Sequence, residues 1–207
     1  MSASNTMQKN QAILQAMNTQ LRDHPGVAKE PEWVMEIIQG TDTYLTKSDD
    51  KGKTTNGLIN LANCCPIYHH EIGLTRTFAK ESLTNDLVPG GLCAQELKIV
   101  APFSSINPAV HLSFSQNTII TSLTLARLAT VTKGPAPAGE APISCTTKYT
   151  FKHLYITGLV SRYDLICLSL RYTDIHYTKH SVDPKTGAHN GSAVVAYHNL
   201  ANSAAAE

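Results

Sequence analysis

The sequence has no run of about 18 apolar residues, so no helical membrane span is expected. It opens MSASNTMQKNQ, with no basic segment leading into an apolar one, and a cleaved secretory signal is not expected either. Charge is scarce, at 16% of residues, and it is balanced: 17 basic against 16 acidic side chains, net +1. That balance supplies no electrostatic reason to bind nucleic acid or an anionic membrane. So few charges leave two options for the exterior: it is rich in Ser, Thr, Asn and Gln, or it is partly covered by copies of the chain. No G-x-S-x-G, phosphate-binding glycine loop or dinucleotide fingerprint occurs. No enzyme activity and no cofactor is expected.

The five cysteines, Cys64, Cys65, Cys93, Cys145 and Cys167, are odd in number and lack C-x-x-C spacing. Neither a disulfide framework nor a zinc site is signalled. They read as small core hydrophobes in a reducing compartment. His69-His70-Glu71 alternates across a strand, so its two rings cannot easily share a metal. His153, His176 and His198 fall on three C-terminal strands and could converge, although strand histidines are more often ordinary hydrogen-bonded positions. Tyr149, Phe151 and Tyr155 share a strand with Lys148 and Lys152. A stacking platform for single-stranded nucleic acid is one reading of that strand; cross-strand packing fits the neutral balance better.

The 207 residues suit one domain with an extension. Residues 1–30 are expected to form a helical arm, 31–202 a β domain and 203–207 a tail. In the arm, Ile13, Leu14, Met17 and Leu21 make a helical stripe over residues 6–22, which Pro25-Gly26 ends. The stripe either lies on the domain's own surface or docks on a neighbouring copy. Strands are predicted at 32–39, at 58–72 with a bend at Pro66, and at 92–101, 118–131, 145–160, 164–179 and 192–200. Residues 48–57 and 133–142 are polar or Pro-rich loops, and 181–190 is a turn region. A short helix is predicted over 104–116, capped by Ser105 with Pro108 in its first turn. Residues 73–91 show no clean period and read as a long connection, packed through Leu74, Phe78, Leu83 and Leu87. About seven strands without βαβ alternation predict an antiparallel barrel or tight sandwich.

This order of elements resembles the Hcp family, the tube proteins of type VI secretion. The resemblance is strongest at LSLRYTDIHYTK (168–179), where Leu170, Tyr172, Ile175 and Tyr177 supply the positions of the family's penultimate strand, with a slip of phase between Tyr172 and Ile175. Phe151-Lys152-His153-Leu154 resembles the strand before it, and Ser104-Ser105-Ile106-Asn107-Pro108 the lead-in to the family's helix. The resemblance covers residues 32–202. The first 30 residues, Cys64-Cys65-Pro66 and the Pro-rich loop depart from the pattern. The resemblance implies an all-β, two-sheet antiparallel barrel with one short helix and an N-terminal helical extension. It implies hexameric rings, formed by the chain with itself and stacked into a tube. Sheath, baseplate and spike proteins and effector cargo would be the partners. Such a protein is cytoplasmic while assembled and is then secreted without a cleaved signal. The extended loop, with Leu74, Thr75, Arg76, Phe78, Leu83 and Leu87, would contact a neighbour or the next ring. A phage-type tail-tube protein and a monomeric ligand-binding β-barrel are the alternatives.

Overall fold

A computed structural model describes residues 3–23, 32–40, 42–45, 54, 56–80, 87–130, 143–183, 190 and 194–199; side chains are described within these except for 3–6, 20–23, 42, 77–80, 87–92, 130 and 194–199. The predicted arm is a helix, α1 (Ala3–Asp23). The β domain begins with β1 (Trp33–Gln39) and β2 (Asp42–Thr43), followed by β3 (Cys65–Ile67), β4 (His69–Glu71), β5 (Leu74–Lys80), β6 (Leu87–Ala94) and β7 (Leu97–Pro102). The short helix α2 (Ala109–Ser115) comes next, then β8 (Ile120–Thr130), β9 (Ile143–Arg162), β10 (Leu165–Arg171), β11 (Asp174–Lys179) and β12 (Val194–Asn199).

All described pairings are antiparallel. The organising element is β9, whose 20 residues serve two sheets. Its first part pairs with β8 on one side and, over 147–152, with β11 on the other. Its last part, 155–162, pairs with β10, and β10 pairs onward with β7 and β7 with β4. The turn of direction falls at His153, which takes a left-handed φ of 51° in mid-strand. The opposing chain breaks at the same level, between β10 and β11. This break, at Tyr172-Thr173, is the slip of phase seen in the sequence; Tyr172 and Ile175 both remain in the core.

The core lies between the two sheets. Met35, Ile37, Leu97, Ile99, Leu123, Leu125, Phe151, Ile166 and Leu168 are all fully buried there. Alternation along β10 decides what each face meets. Ile166, Leu168 and Leu170 enter the core, while Leu165 and Cys167 belong to a separate cluster with Val100 of β7 and Leu14 and Met17 of α1. The helix thus covers the outer face of the second sheet, and β10 is buried on both sides.

Several expectations are corrected. The sheet does not close into a barrel among the described residues: β12 pairs only with β11, and the last part of β9 only with β10. Among the described residues twelve strands replace the predicted seven: the 58–72, 92–101 and 164–179 runs each divide in two, and β2 and β5 are added. The 58–72 run holds a 3-10 turn at Leu61–Asn63, then β3 and β4, which change sheets at Tyr68: β3 pairs with β1 and β4 with β7. Pro66 is tolerated because β3 pairs on one side only. The described part of the 73–91 connection is no irregular loop. Residues 74–80 and 87–91 lie in two antiparallel strands, β5 and β6, paired as a hairpin in a sheet of its own, and 81–86 lie outside the described residues. Gly90 and Gly91 together oppose the single Thr77, a bulge that hides the strand period. The predicted 92–101 strand is accordingly divided between β6 and β7. The helix begins late, at Ala109: residues Phe103–Ser105 form a 3-10 turn, and the side chain of Asn107, not Ser105, accepts the Ala109 amide at 2.9 Å. The predicted 133–142 loop and 203–207 tail lie outside the described residues.

Candidate functional site

The hairpin is the candidate assembly element, and the site is built around its base. The Gln95 amide donates to the Gly73 carbonyl at 2.8 Å and closes the two strands where they leave the body. A Cβ at Gly73 would lie 2.3 Å from the Gln95 side-chain oxygen, so a larger residue there would have to displace that side chain. Above this closure Leu74, Thr75 and Arg76 are exposed, and Thr75 donates to the Cys93 carbonyl at 3.4 Å. The side chains of Phe78 and Leu87, and Leu83 altogether, lie outside the described residues. The hairpin pairs with no other strand among the described residues, so both of its outer edges are open. A two-stranded hairpin alone is marginal in water, and open edges are templates for pairing.

Beside the base lies a cleft of about 880 Å³, lined by Lys9 of α1, His70 and Glu71, Glu96, Lys98, Tyr149 and Arg171. Its charges are partly matched: Lys98 sits 3.9 Å from Glu71 and Arg171 3.7 Å from Glu96. His70 rests against Trp33, ring centroids 4.4 Å apart, and burial lowers its pKa below the ordinary 6.5. Trp33 and Tyr149 stack at 6.0 Å, and Tyr149 meets its cross-strand partner Tyr177 at 4.9 Å. Tyr149 and Phe151 of β9 are therefore engaged in packing between strands.

The stripe of α1 lies on the chain's own surface. Leu14 is fully buried, Met17 nearly so, and Ile13 packs beside them; the Leu21 side chain lies outside the described residues. One polar contact fixes the docking position: the buried amide of Asn10 donates to the Ser169 hydroxyl at 2.8 Å. Gly158 lies beside this contact: a Cβ there would stand 3.4 Å from both the Asn10 amide nitrogen and the Ser169 Cβ, at van der Waals distance, with no room for a larger side chain in that direction. This Asn10–Gly158–Ser169 arrangement was not legible as a motif, since 159 positions separate its hydrogen-bonded members.

Among the described residues no group of three or more His, Cys, Asp or Glu is placed to hold an ion, and the His198 side chain lies outside them. His176 pairs with Tyr197 in register, and not with His198. His153 instead approaches the nearly buried Asp174 at 3.2 Å, and Thr173 donates to the same carboxylate at 2.6 Å. The three residues clamp the corner where the chain passes from one sheet to the other. Four cysteines are buried, and burial pushes the thiols of Cys65 and Cys167 up to about 12, that of Cys145 to about 11 and that of Cys64 higher still. Cys93, on the hairpin, is exposed.

No protein-family model matches the chain, and no curated protein matches it in sequence. Solved structures do match in fold. A doubly substituted Hcp1 from E. coli EAEC 042 pathovar aligns with a TM-score of 0.57 at 11% identity, over 83% of this chain and 99% of its own. A structure described as a type six secretion system protein aligns at 0.58 and 14% identity, over 84% and 98%. An Hcp protein crystal structure aligns at 0.50 and 10% identity, over 81% and 96%. Nearly the whole of each of these proteins is thus superposed on a chain with which it shares little sequence, and the fold built here from β9 outward is the Hcp fold.

Proposed function

We propose that this chain is a structural subunit that assembles with itself into hexameric rings, stacked into the inner tube of a type VI secretion system. The observation that carries this reading is the likeness to Hcp structures over almost their entire length. The surface chemistry supports it. Open edges on β5, β6, β12 and the last part of β9 are liabilities for a lone molecule and assets for a repeating one. A ring needs heterologous contacts whose rotation closes. The hairpin, through Leu74, Thr75, Arg76, Phe78, Leu83 and Leu87, reaches a neighbour or the next ring. The arm that carries Ile13, Leu14, Met17 and Leu21 adds a second contact. In this role the chain catalyses no reaction and needs no cofactor. Its partners are other copies, the sheath, baseplate and spike, and effectors held in the lumen. It is cytoplasmic while assembled and leaves the cell on firing. Negative-stain imaging of the purified protein tests this: rings with six-fold symmetry support it, and a monomer at micromolar concentration contradicts it.

A further inference from the structure

The cleft at the hairpin base has no part in the assembly reading, and its charges do not cancel. Lys9, Lys98 and Arg171 line it against Glu71 and Glu96, an excess of one positive charge. His70 also lines it, and burial holds that ring neutral at pH 7. Neither ion pair in the cleft is hydrogen-bonded: the separations, 3.9 Å for Lys98 with Glu71 and 3.7 Å for Arg171 with Glu96, are too long. The other oxygen of Glu71 is approached by His69 at 3.3 Å. Lys9 is exposed and pairs with no carboxylate among the described residues. Lys98 is the most telling of the three. Its side chain is only 13% exposed, yet its three N–H donors have one distant carboxylate, itself half in solvent. A cation so enclosed is costly unless hydrogen bonds complete its shell.

These features define the complement. One negative charge neutralises the excess, whereas a dianion would leave Glu71 and Glu96 in a negative site. A carboxylate presents two oxygens, which suit the planar fork of Arg171 and the ammonium of Lys98. Beside the charges stands an aromatic wall. Tyr149 and His70 line the cleft, and both rest on Trp33, at 6.0 Å and 4.4 Å between ring centroids. Such a wall offers flat surface to the body of a ligand whose charge sits on the cationic side. The volume, about 880 Å³, falls within the range of small-molecule sites, about 300–1,000 Å³.

We propose that this cleft binds a small monocarboxylate carried on an aromatic body: Lys98 and Arg171 hold the carboxylate, Lys9 reaches it from α1, and Tyr149 and His70 cover the ring. The proposal stands apart from the assembly reading, and each can fail without the other. Trp33, the sole tryptophan, lies directly behind the wall and reports on the site by its fluorescence. The full chain is titrated with phenylacetate, with its neutral isostere phenylacetamide, and with inorganic phosphate. Phenylacetate should give a saturable change in the millimolar range or below, the amide none, and phosphate weaker binding than phenylacetate. Lys98→Met and Arg171→Gln should each weaken phenylacetate binding about tenfold or more. Arg171 is largely exposed, so Arg171→Gln should keep the wild-type circular dichroism and melting temperature even if Lys98→Met does not. No saturable response to phenylacetate, an equal response to the amide, tighter binding of phosphate, or unchanged affinity in Arg171→Gln would each overturn the proposal. The mass of the same sample decides the ring reading separately: rings that bind no phenylacetate sink only the cleft, and a monomer that binds it sinks only the ring.

Discussion

Leu14→Ala isolates the docking of α1. Leu14 is fully buried, in a cluster with Met17, Val100, Leu165 and Cys167 that is separate from the main core. Truncation removes three buried carbons, about 0.8 kcal/mol each in transfer, and leaves a cavity; Leu→Ala changes of this kind cost about 2–5 kcal/mol. The lower part of that range applies here, because a surface helix can settle into the gap or detach without unfolding the domain. A loss of about 2–3 kcal/mol multiplies the open population about 30- to 150-fold. Cys167 reports this directly. It is buried beneath the helix and its thiol is pushed up to about 12, so it reacts only when α1 lifts. Thiol labelling read by peptide mass, with the exposed Cys93 as the fast internal control, should show Cys167 modified about 30 times faster or more in the variant. The melting temperature of the β domain should move little. Equal Cys167 rates in both proteins, or loss of the cooperative transition in the variant, would refute the view that α1 is a separately docked layer.

Other outcomes follow from the same contacts. Gly158→Val should push into Asn10 and Ser169 and cost about 1–3 kcal/mol of docking, again read as faster Cys167 labelling. Replacing residues 75–93 with a short Gly-Ser turn should leave a folded β protein by circular dichroism that forms few or no tubes under the electron microscope. His70 titrates lower in the folded chain than its ordinary 6.5. Its contribution to stability is therefore present above pH 6.5 and is lost as pH falls from there toward its folded value. Glu36, raised above 4.5 by burial, acts oppositely, losing stability as pH rises through its window. The difference between wild type and His70→Phe in urea unfolding at pH 7 and pH 5 isolates the histidine, and wild type should lose more on acidification.

The long strands were legible because β-branched and aromatic residues dominate them. Even so, Ser161-Arg162, which fall between the predicted strands 145–160 and 164–179, continue β9, and the turn falls at Tyr163-Asp164, where Tyr163 takes a φ of 57°. The hairpin was hidden because Pro89 and the Gly90-Gly91 bulge interrupt its alternation, although the pair of glycines opposite Thr77 is itself a bulge signal. Closure of the sheets could not be read from alternation, which says which face is buried and nothing about which edges meet. The stripe on α1 was plain, but the surface that it covers was not. Leu165 and Cys167 looked like one half of an ordinary apolar strand until β10 proved to be covered on both faces. His153 drew notice as a possible ligand, and its actual partner, Asp174, sits in the polar slot between Tyr172 and Ile175 that the slip of phase had marked.

Self-assembly is the central claim, and the mass of the purified, full-length protein in solution tests it most directly. Light scattering behind size exclusion, with negative-stain images of the same fraction, should give six times the 22.4 kDa chain mass or stacks of such rings. A single 22.4 kDa species across the micromolar range would contradict the account.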